Sequence, residues 1–300
     1  MSAPLSVASL EPAIRRPRRQ RAAVILLAGL LALLVGAGWL LWDNRRLDVT
    51  SYQVPVQQLP AAADGVRIAQ LSDVHAASFG TFPDRIVSAV RSAEPDLIAL
   101  TGDLIDIRTA DLGASLDLAE QLAGIAPVYY VLGNHEADSP LRTELLEGLE
   151  EREVHVLRDE ATTLELPETT LTLVGLDDPR VDHAADREAT PPETTLAGLD
   201  LPRQSPTVLL AHRPELWSDY AAADVDVVLS GHAHGGQVRV PGLGGLFSPH
   251  QGWLPELTDG VHTREGTTMV ISRGLGNSIA GVRVNNPREL VVVELNSAAD

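Results

Sequence analysis

The sequence predicts an α/β fold of two sheets, preceded by one membrane-spanning helix. Three observations predict it. Short apolar runs of strand length alternate with helical patterns over most of the chain, as parallel strand–helix–strand units do. Further strand-like runs crowd residues 153–174 and the C-terminal end, and call for a second sheet packed on the first. A single uninterrupted apolar stretch, Ala22 to Trp42, stands apart from both.

Taken in order, residues 1–21 read as an unstructured basic tail carrying Arg15, Arg16, Arg18, Arg19 and Arg21. The apolar stretch 22–42 would span about 30 Å as a helix, the thickness of the hydrocarbon layer. Trp39 and Trp42 sit at its far end, where indoles favour the interface. The arginine excess before it places the N-terminus in the cytoplasm and the rest of the chain outside, a single-pass protein of the cytoplasmic membrane. A cleaved signal peptide competes with this signal anchor, because Val35-Gly36-Ala37 offers a small-residue site, but the apolar run continues past it. A twin-arginine export signal at Arg15-Arg16 or Arg18-Arg19 fits its following residues poorly. Residues 43–64, with Pro55 and Pro60, read as a linker, and a globular domain follows over 65–296.

Within that domain, strands are expected at Val66–Leu71, Asp96–Thr101, Val128–Leu132, Thr207–Ala211 and Val225–Leu229. Helices are expected at Asp84–Ser92, Leu112–Ile125 and Leu141–Glu151, the last with a solvated acidic face. Glu153–Leu157, Thr162–Leu166 and Thr170–Val174 read as consecutive antiparallel strands, and so do Thr267–Ile271 and Glu289–Leu295. Residues 177–204 read as a long surface loop with a short helix, and Gly242–Trp253 as an irregular Gly/Pro-rich stretch.

Composition narrows the function classes. The chain has 300 residues, 44% hydrophobic, enough for one well-buried domain. Its net charge of -18 repels nucleic-acid backbones, which argues against a nucleic-acid partner. There is no Cys, hence no disulfide and no thiolate metal site.

Five polar clusters carry the chemistry, each just after a predicted strand: Asp73-Val74-His75, Gly102-Asp103, Gly133-Asn134-His135-Glu136, His212 and Gly231-His232-Ala233-His234. Open α/β sheets place their sites at such strand ends. Residues two apart on an extended strand end project to one side, so Asp73 and His75 can reach one cation, and His232 and His234 repeat the spacing. Asp103 can bridge two cations through its two oxygens, and Asn134 adds a neutral carbonyl oxygen. Carboxylate, amide and imidazole donors in this mixture suit a pair of divalent transition metals, with Mn, Fe and Zn all compatible.

This order, Asp-x-His, Gly-Asp, Gly-Asn-His-Asp/Glu, a later His and Gly-His-x-His, resembles the calcineurin-like metallophosphoesterase family over roughly residues 66–296. Gly175-Leu176-Asp177-Asp178 and Ser272-Arg273-Gly274-Leu275-Gly276-Asn277 resemble accessory motifs of its membrane-anchored bacterial branch. The resemblance implies a four-layer α/β/β/α sandwich and a metal-dependent hydrolase of phosphate esters. It implies one metal held by Asp73, His75, Asp103 and His234, and a second by Asp103, Asn134, His212 and His232. His135 is implied as the catalytic residue that contacts substrate. Such a cation pair lowers the pKa of a bridging water and neutralises phosphoryl oxygens, so in-line attack by a bridging hydroxide is expected, without a covalent intermediate. The substrate is a phosphate ester, with lipid-linked esters among the candidates. A catalytically silent metal-binding membrane protein is the competing class, and loss of a ligand or of His135 would mark it; none is lost.

Of the remaining histidines, His155, His183, His250 and His262, His155 lies in a strand pattern and reads as structural; His183 and His250 sit in loops where they could touch substrate, and the structural reading is preferred for each. Arg273 could grip a phosphate oxygen or pair with an acidic neighbour.

Overall fold

The structure is a computed structural model and describes residues 18–57, 59–77, 80–166, 169–199, 201–202, 205–277 and 281–298. It divides into two units between Trp42 and Asp43. The described part of the first is the helix α1 (Arg18–Asp43) up to Trp42. Ile25, Leu26, Leu27, Leu33 and Leu34 are all exposed, so α1 is apolar all round rather than along one stripe. A helix of that kind needs an apolar surrounding, and α1 is long and apolar enough to cross a membrane. Residues 1–17 of the expected basic tail lie outside the described residues, while 18–21 are helical.

In the second unit the chain runs β1 (Leu47–Val56), β2 (Val66–Leu71), α2 (Phe82–Ala93), β3 (Leu97–Thr101), α3 (Gly113–Ala123), β4 (Val128–Val131), α4 (Asn134–Asp138), α5 (Arg142–Glu150) and β5 (Val154–Val156). It continues through β6 (Glu160–Leu166), β7 (Thr169–Gly175), α6 (Arg180–Ala184), α7 (Pro192–Gly198), β8 (Thr207–Leu210), α8 (Trp217–Ala222) and β9 (Val227–Ser230). Two short hairpins follow, β10 (Arg239–Val240) with β11 (Gly244–Gly245), and β12 (Phe247–Ser248) with β13 (Gly252–Trp253). The last strands are β14 (Gly260–Arg264), β15 (Thr267–Ile271) and β16 (Arg288–Ser297).

Two six-stranded mixed sheets result, in the orders β1-β16-β2-β3-β4-β5 and β14-β15-β9-β8-β7-β6. Side chains alternate across each strand and build three apolar layers. Ala69, Leu71, Ile98, Leu100 and Tyr130 face α2, α3 and α5, where Ile86, Val90, Leu118, Leu122, Leu145 and Leu149 are buried. Ile68, Leu97, Ala99 and Val131 on the opposite face meet Leu173, Val208, Leu210, Leu229 and Val270 of the second sheet. Leu209, Val228, Met269 and Ile271 turn outward onto Leu196, Trp217 and Tyr220 of α7 and α8. The expected α/β/β/α layering is therefore present.

The structure corrects several details. Residues 43–64, expected as a linker, contain β1, which pairs with β16 from Leu47↔Arg288 to Val56↔Ser297. Pro55 suggested a linker, but a sheet edge tolerates proline, and β1 is the edge. β8 and β9 lie in the second sheet, parallel to β7. β5 pairs parallel with β4 in the first sheet, and β16 also joins the first sheet. Periodicity identifies a strand but not its partner, which is why these assignments were invisible. The 177–204 region carries two short helices rather than one.

Candidate metal centre

The loops after β2, β3, β4, β8 and β9 meet where the C-terminal ends of the two sheets face each other. Backbone bonds lace them: Asp73 N–H donates to Gly102 O at 3.0 Å, His75 N–H to Asp103 O at 2.9 Å and Gly231 N–H to His212 O at 3.0 Å. Behind them the buried Gln70 amide donates to Ser230 O at 2.8 Å, tying the first sheet to the second.

Asp73 and His75 do reach the same place, though not by extended geometry. Asp73, His75, Asp103, His232 and His234 all have φ between 48° and 63°. This left-handed conformation costs about 1–3 kcal/mol at each non-glycine residue and persists only where the surroundings over-determine it. Here the laced loops do so. Gly102 is also left-handed, with φ 90°, and a Cβ there would stand 2.9 Å from the Gly133 backbone and run into His212 Nδ1. A Cβ on Gly231 would collide with Ser72 and Asp73.

Four groups of three donors form among the described residues. Two are His75, Asp106 and His135, and Glu215, His232 and His250; the other two are made wholly of predicted ligands. In the first of this latter pair, His234 Nε2 lies 3.2 Å from Asp73 Oδ1, and His75 Nε2 lies 4.0 Å from the same oxygen and 3.1 Å from His234 Nε2. In the second, His212 Nε2 lies 3.2 Å from Asp103 Oδ2 and 3.2 Å from His232 Nδ1. The donor atoms of each group lie within 4.8 Å of one another, and all six residues are buried. Asp103 joins the groups, since its Oδ2 is also 3.8 Å from His75 Nε2.

Protonation follows the neighbours. Burial pushes the His75 imidazole down to about 4. Burial also holds His232 and His234 well below the usual histidine range, helped by His212 in one case and His75 in the other. These three therefore present free lone pairs near neutral pH. Burial acts on His212 in the same sense, but Asp103 and then Asp73 outweigh it and push His212 up to about 10. Burial would raise Asp103, yet His212 beside it holds that carboxyl well below its usual range. Burial, with Asp103 adding, raises Asp73 to about 6.

The donor set fits divalent cations. Asn134 Oδ1 is buried without a hydrogen-bond partner, a state that costs about 1–3 kcal/mol unless something else satisfies it. His212 Nδ1 donates to Thr101 O at 2.8 Å, which leaves Nε2 as the ligating atom. His135, the second residue of α4, is partly exposed beside the second group, with Nε2 3.9 Å from Asp103 Oδ2. Its Nδ1 accepts the Ile107 N–H at 3.0 Å, so in the neutral ring the proton sits on Nε2.

Two contributors had no assigned role in the sequence: Glu136, although it lies in a predicted cluster, and Asp106. Glu136, buried, accepts the N–H groups of Asp103 at 2.9 Å and Gly133 at 2.8 Å through Oε2, and that of Ile105 at 2.9 Å through Oε1. The Gly133-x-x-Glu136 capping-box spacing was the available signal. Asp106 Oδ2 lies 3.9 Å from His75 Nδ1 and 3.6 Å from His135 Nδ1, with no sequence signal beyond its closeness to Asp103. His250 Nδ1 is 3.0 Å from His232 Nε2, at the rim of the centre. Arg273 is taken by Glu289 at 2.8 Å, the ion-pair alternative. His155 stacks on Tyr129, His262 donates to Asp259 O at 2.9 Å, and His183 is exposed on α6, apart from the cluster.

A model of the calcineurin-like phosphoesterase family matches residues 66–236. The chain is 31% identical to the phosphodiesterase YaeI of Escherichia coli over 76% of its own length and 82% of that protein's. It is 27% identical to the metallophosphoesterase YkuE of Bacillus subtilis, over 91% and 94% of the two chains. A Danio rerio transmembrane protein with metallophosphoesterase domain is 30% identical over 63% of this chain and 45% of its own.

Proposed function

The chain belongs to the calcineurin-like phosphoesterase family, and we propose that it hydrolyses phosphate esters with two divalent cations, as a phosphodiesterase or phosphatase at the outer side of the cytoplasmic membrane. The observation that carries this reading is the pair of three-donor groups joined through Asp103. Asp73, His75, Asp103 and His234 would hold one cation, and Asp103, Asn134, His212 and His232 the other. Bound there, the cations supply an activated water and neutralise the phosphoryl oxygens. Mn, Fe and Zn all suit these donors.

The protein's own groups do the rest. His135, with its proton on Nε2, donates to a phosphoryl or leaving-group oxygen as that oxygen gains charge. Glu136 holds Asp103 and the Gly133 turn in place by accepting three backbone N–H groups. The laced loops fix the donors before substrate arrives, so little reorganisation accompanies reaction.

The test is hydrolysis of bis(p-nitrophenyl) phosphate by the full chain with added Mn²⁺, Zn²⁺ or Fe²⁺. Native protein turns over and chelator stops it, while Asp103→Asn loses both metal and turnover. Turnover indifferent to chelator and to that substitution overturns the proposal, and metal binding without turnover across an ester panel assigns the silent class instead. α1 is proposed as the anchor, with the apolar run exposed along its length. Protease added outside intact host cells should then cleave residues of the second unit, and full protection would reverse the orientation.

A further inference from the structure

Between the His232–His234 loop and β14 the chain makes an excursion that belongs to neither large sheet. It is firmly built. Leu246 N–H donates to Val238 O and Leu254 N–H to Leu246 O, each at 2.9 Å. The Gln251 side chain donates to Leu257 O at 2.7 Å and accepts the Leu257 N–H at 3.0 Å. Arg239 binds Asp259 at 2.7 Å and Gly235 O at 3.0 Å.

A segment pinned in this way has fixed side-chain directions, and it fixes large apolar ones outward. Leu243 is 58% exposed, Trp253 77% and Leu254 58%, and Phe247, 41% exposed, meets Trp253 edge to face with ring centroids 5.6 Å apart. Scattered exposed apolar residues are ordinary, but an aromatic pair held outward on a pinned hairpin, with Leu254 next in the chain, marks a contact surface. The same excursion carries His250, which touches His232 at 3.0 Å. Phe247 and Trp253 flank His250 in sequence, at most about 10 Å of chain to either side. The apolar surface therefore begins where the donor cluster ends.

We propose that this surface receives the hydrocarbon part of the substrate. The substrate class is then an amphiphilic phosphate ester, with its phosphate at the carboxylate–histidine centre and an alkyl or isoprenoid chain across Phe247, Trp253 and Leu254. The inference rests on the phosphoesterase reading above and narrows it. Continuity with the donor cluster favours a substrate tail over a bilayer surface as the occupant, because His250, between Phe247 and Trp253 in sequence, reaches His232 at 3.0 Å.

The experiment measures binding of methylphosphonate and octylphosphonate, below micellar concentration, to the metal-loaded full chain by calorimetry. In parallel, kcat/KM is measured for p-nitrophenyl methyl and p-nitrophenyl octyl phosphodiesters. Octyl should exceed methyl by about tenfold or more in both readouts, given the favourable burial of each added methylene. Trp253→Ser combined with Leu254→Ser should bring the two chain lengths within about threefold and leave the methyl compounds unchanged; Leu243→Ser should give a smaller change in the same direction. Equal native affinity for the two lengths overturns the proposal, as does a preference that survives the double substitution. A tryptophan-dependent gain seen only with esters embedded in phosphatidylglycerol vesicles assigns the surface to the bilayer and also overturns it. If methyl compounds neither bind nor react, the phosphoesterase reading itself fails, and this inference with it.

Discussion

His75 and His212 are the same residue in the same degree of burial, yet one is driven down to about 4 and the other up to about 10. The difference lies in their company. His75 shares its group with His234 and with Asp73, a carboxyl itself raised to about 6 by burial. His212 has Asp103 at 3.2 Å, an acid kept ionised by that histidine. Without metal and above pH 7, one half of the centre thus holds two neutral imidazoles beside an ionised Asp73, and the other holds an internal ion pair. Burial alone does not decide a ligand's charge state; the nearest opposite charge does.

The largest expected effect comes from breaking the residue that creates the contrast. Asp103→Asn removes the charge opposite His212 and the bridge between the groups. Turnover of a phosphodiester should fall by about 10³-fold or more, and metal analysis should show both cations lost. Retention of one cation at full affinity would show that the two halves are independent. Next, His135→Ala should lower kcat by about 10²-fold or more while metal content stays unchanged if His135 acts as proposed through its Nε2 proton, rather than as a ligand in its own group with His75 and Asp106. Loss of metal in that variant would make it a ligand.

The contrast also predicts unequal metal uptake. A cation entering the Asp103 group displaces the His212 proton, whereas His75 and His234 are already neutral. Calorimetric titration of the chelated protein between pH 7 and 9 should resolve two steps. One affinity should rise about tenfold per pH unit and the other should stay nearly flat. Parallel slopes would refute the asymmetry.

Much of the centre was legible in the sequence, because strand-end Asp, Asn and His residues must be supplied locally whatever the sheet order. The strands themselves were legible for a related reason: β2, β3 and β4 are unbroken apolar runs. What stayed hidden depends on pairing across distance. That His212 and His232 arrive on a different sheet from Asp73 and Asp103 follows from the β7-β8-β9 ladder, which no local pattern encodes. The left-handed backbone at Asp73 and His75 was likewise hidden, since the laced loops impose it. Asp106 and the three-fold grip of Glu136 emerge only once α4 docks beside the loop after β3.

The smallest effect isolates His212 in the metal-free chain. Its folded-state pKa lies above the unfolded value of about 6.5, so the native state holds a proton that the unfolded state releases first. The associated stability is complete below pH 6.5 and is lost as pH rises through about 10. His75 has the opposite sign: its contribution is present above pH 6.5 and is lost as pH falls through about 4. Between about pH 8 and 8.5 the His212 proton is still held in the native state, while Asp73, at about 6, and Glu136, at about 7, have titrated and Arg283, lowered to about 9 by burial, keeps most of its charge. Over that interval the chelated protein should lose about 1.4 kcal/mol per pH unit, roughly 3 °C of Tm for a domain of this size. Asp103→Asn, which no longer holds the proton, should flatten the decline, and saturating Zn²⁺ should flatten it in the native chain by displacing the proton outright. An alkaline slope of the same size in Asp103→Asn would mean that some other group carries it, and that the two halves of the centre do not differ in the way their geometry requires.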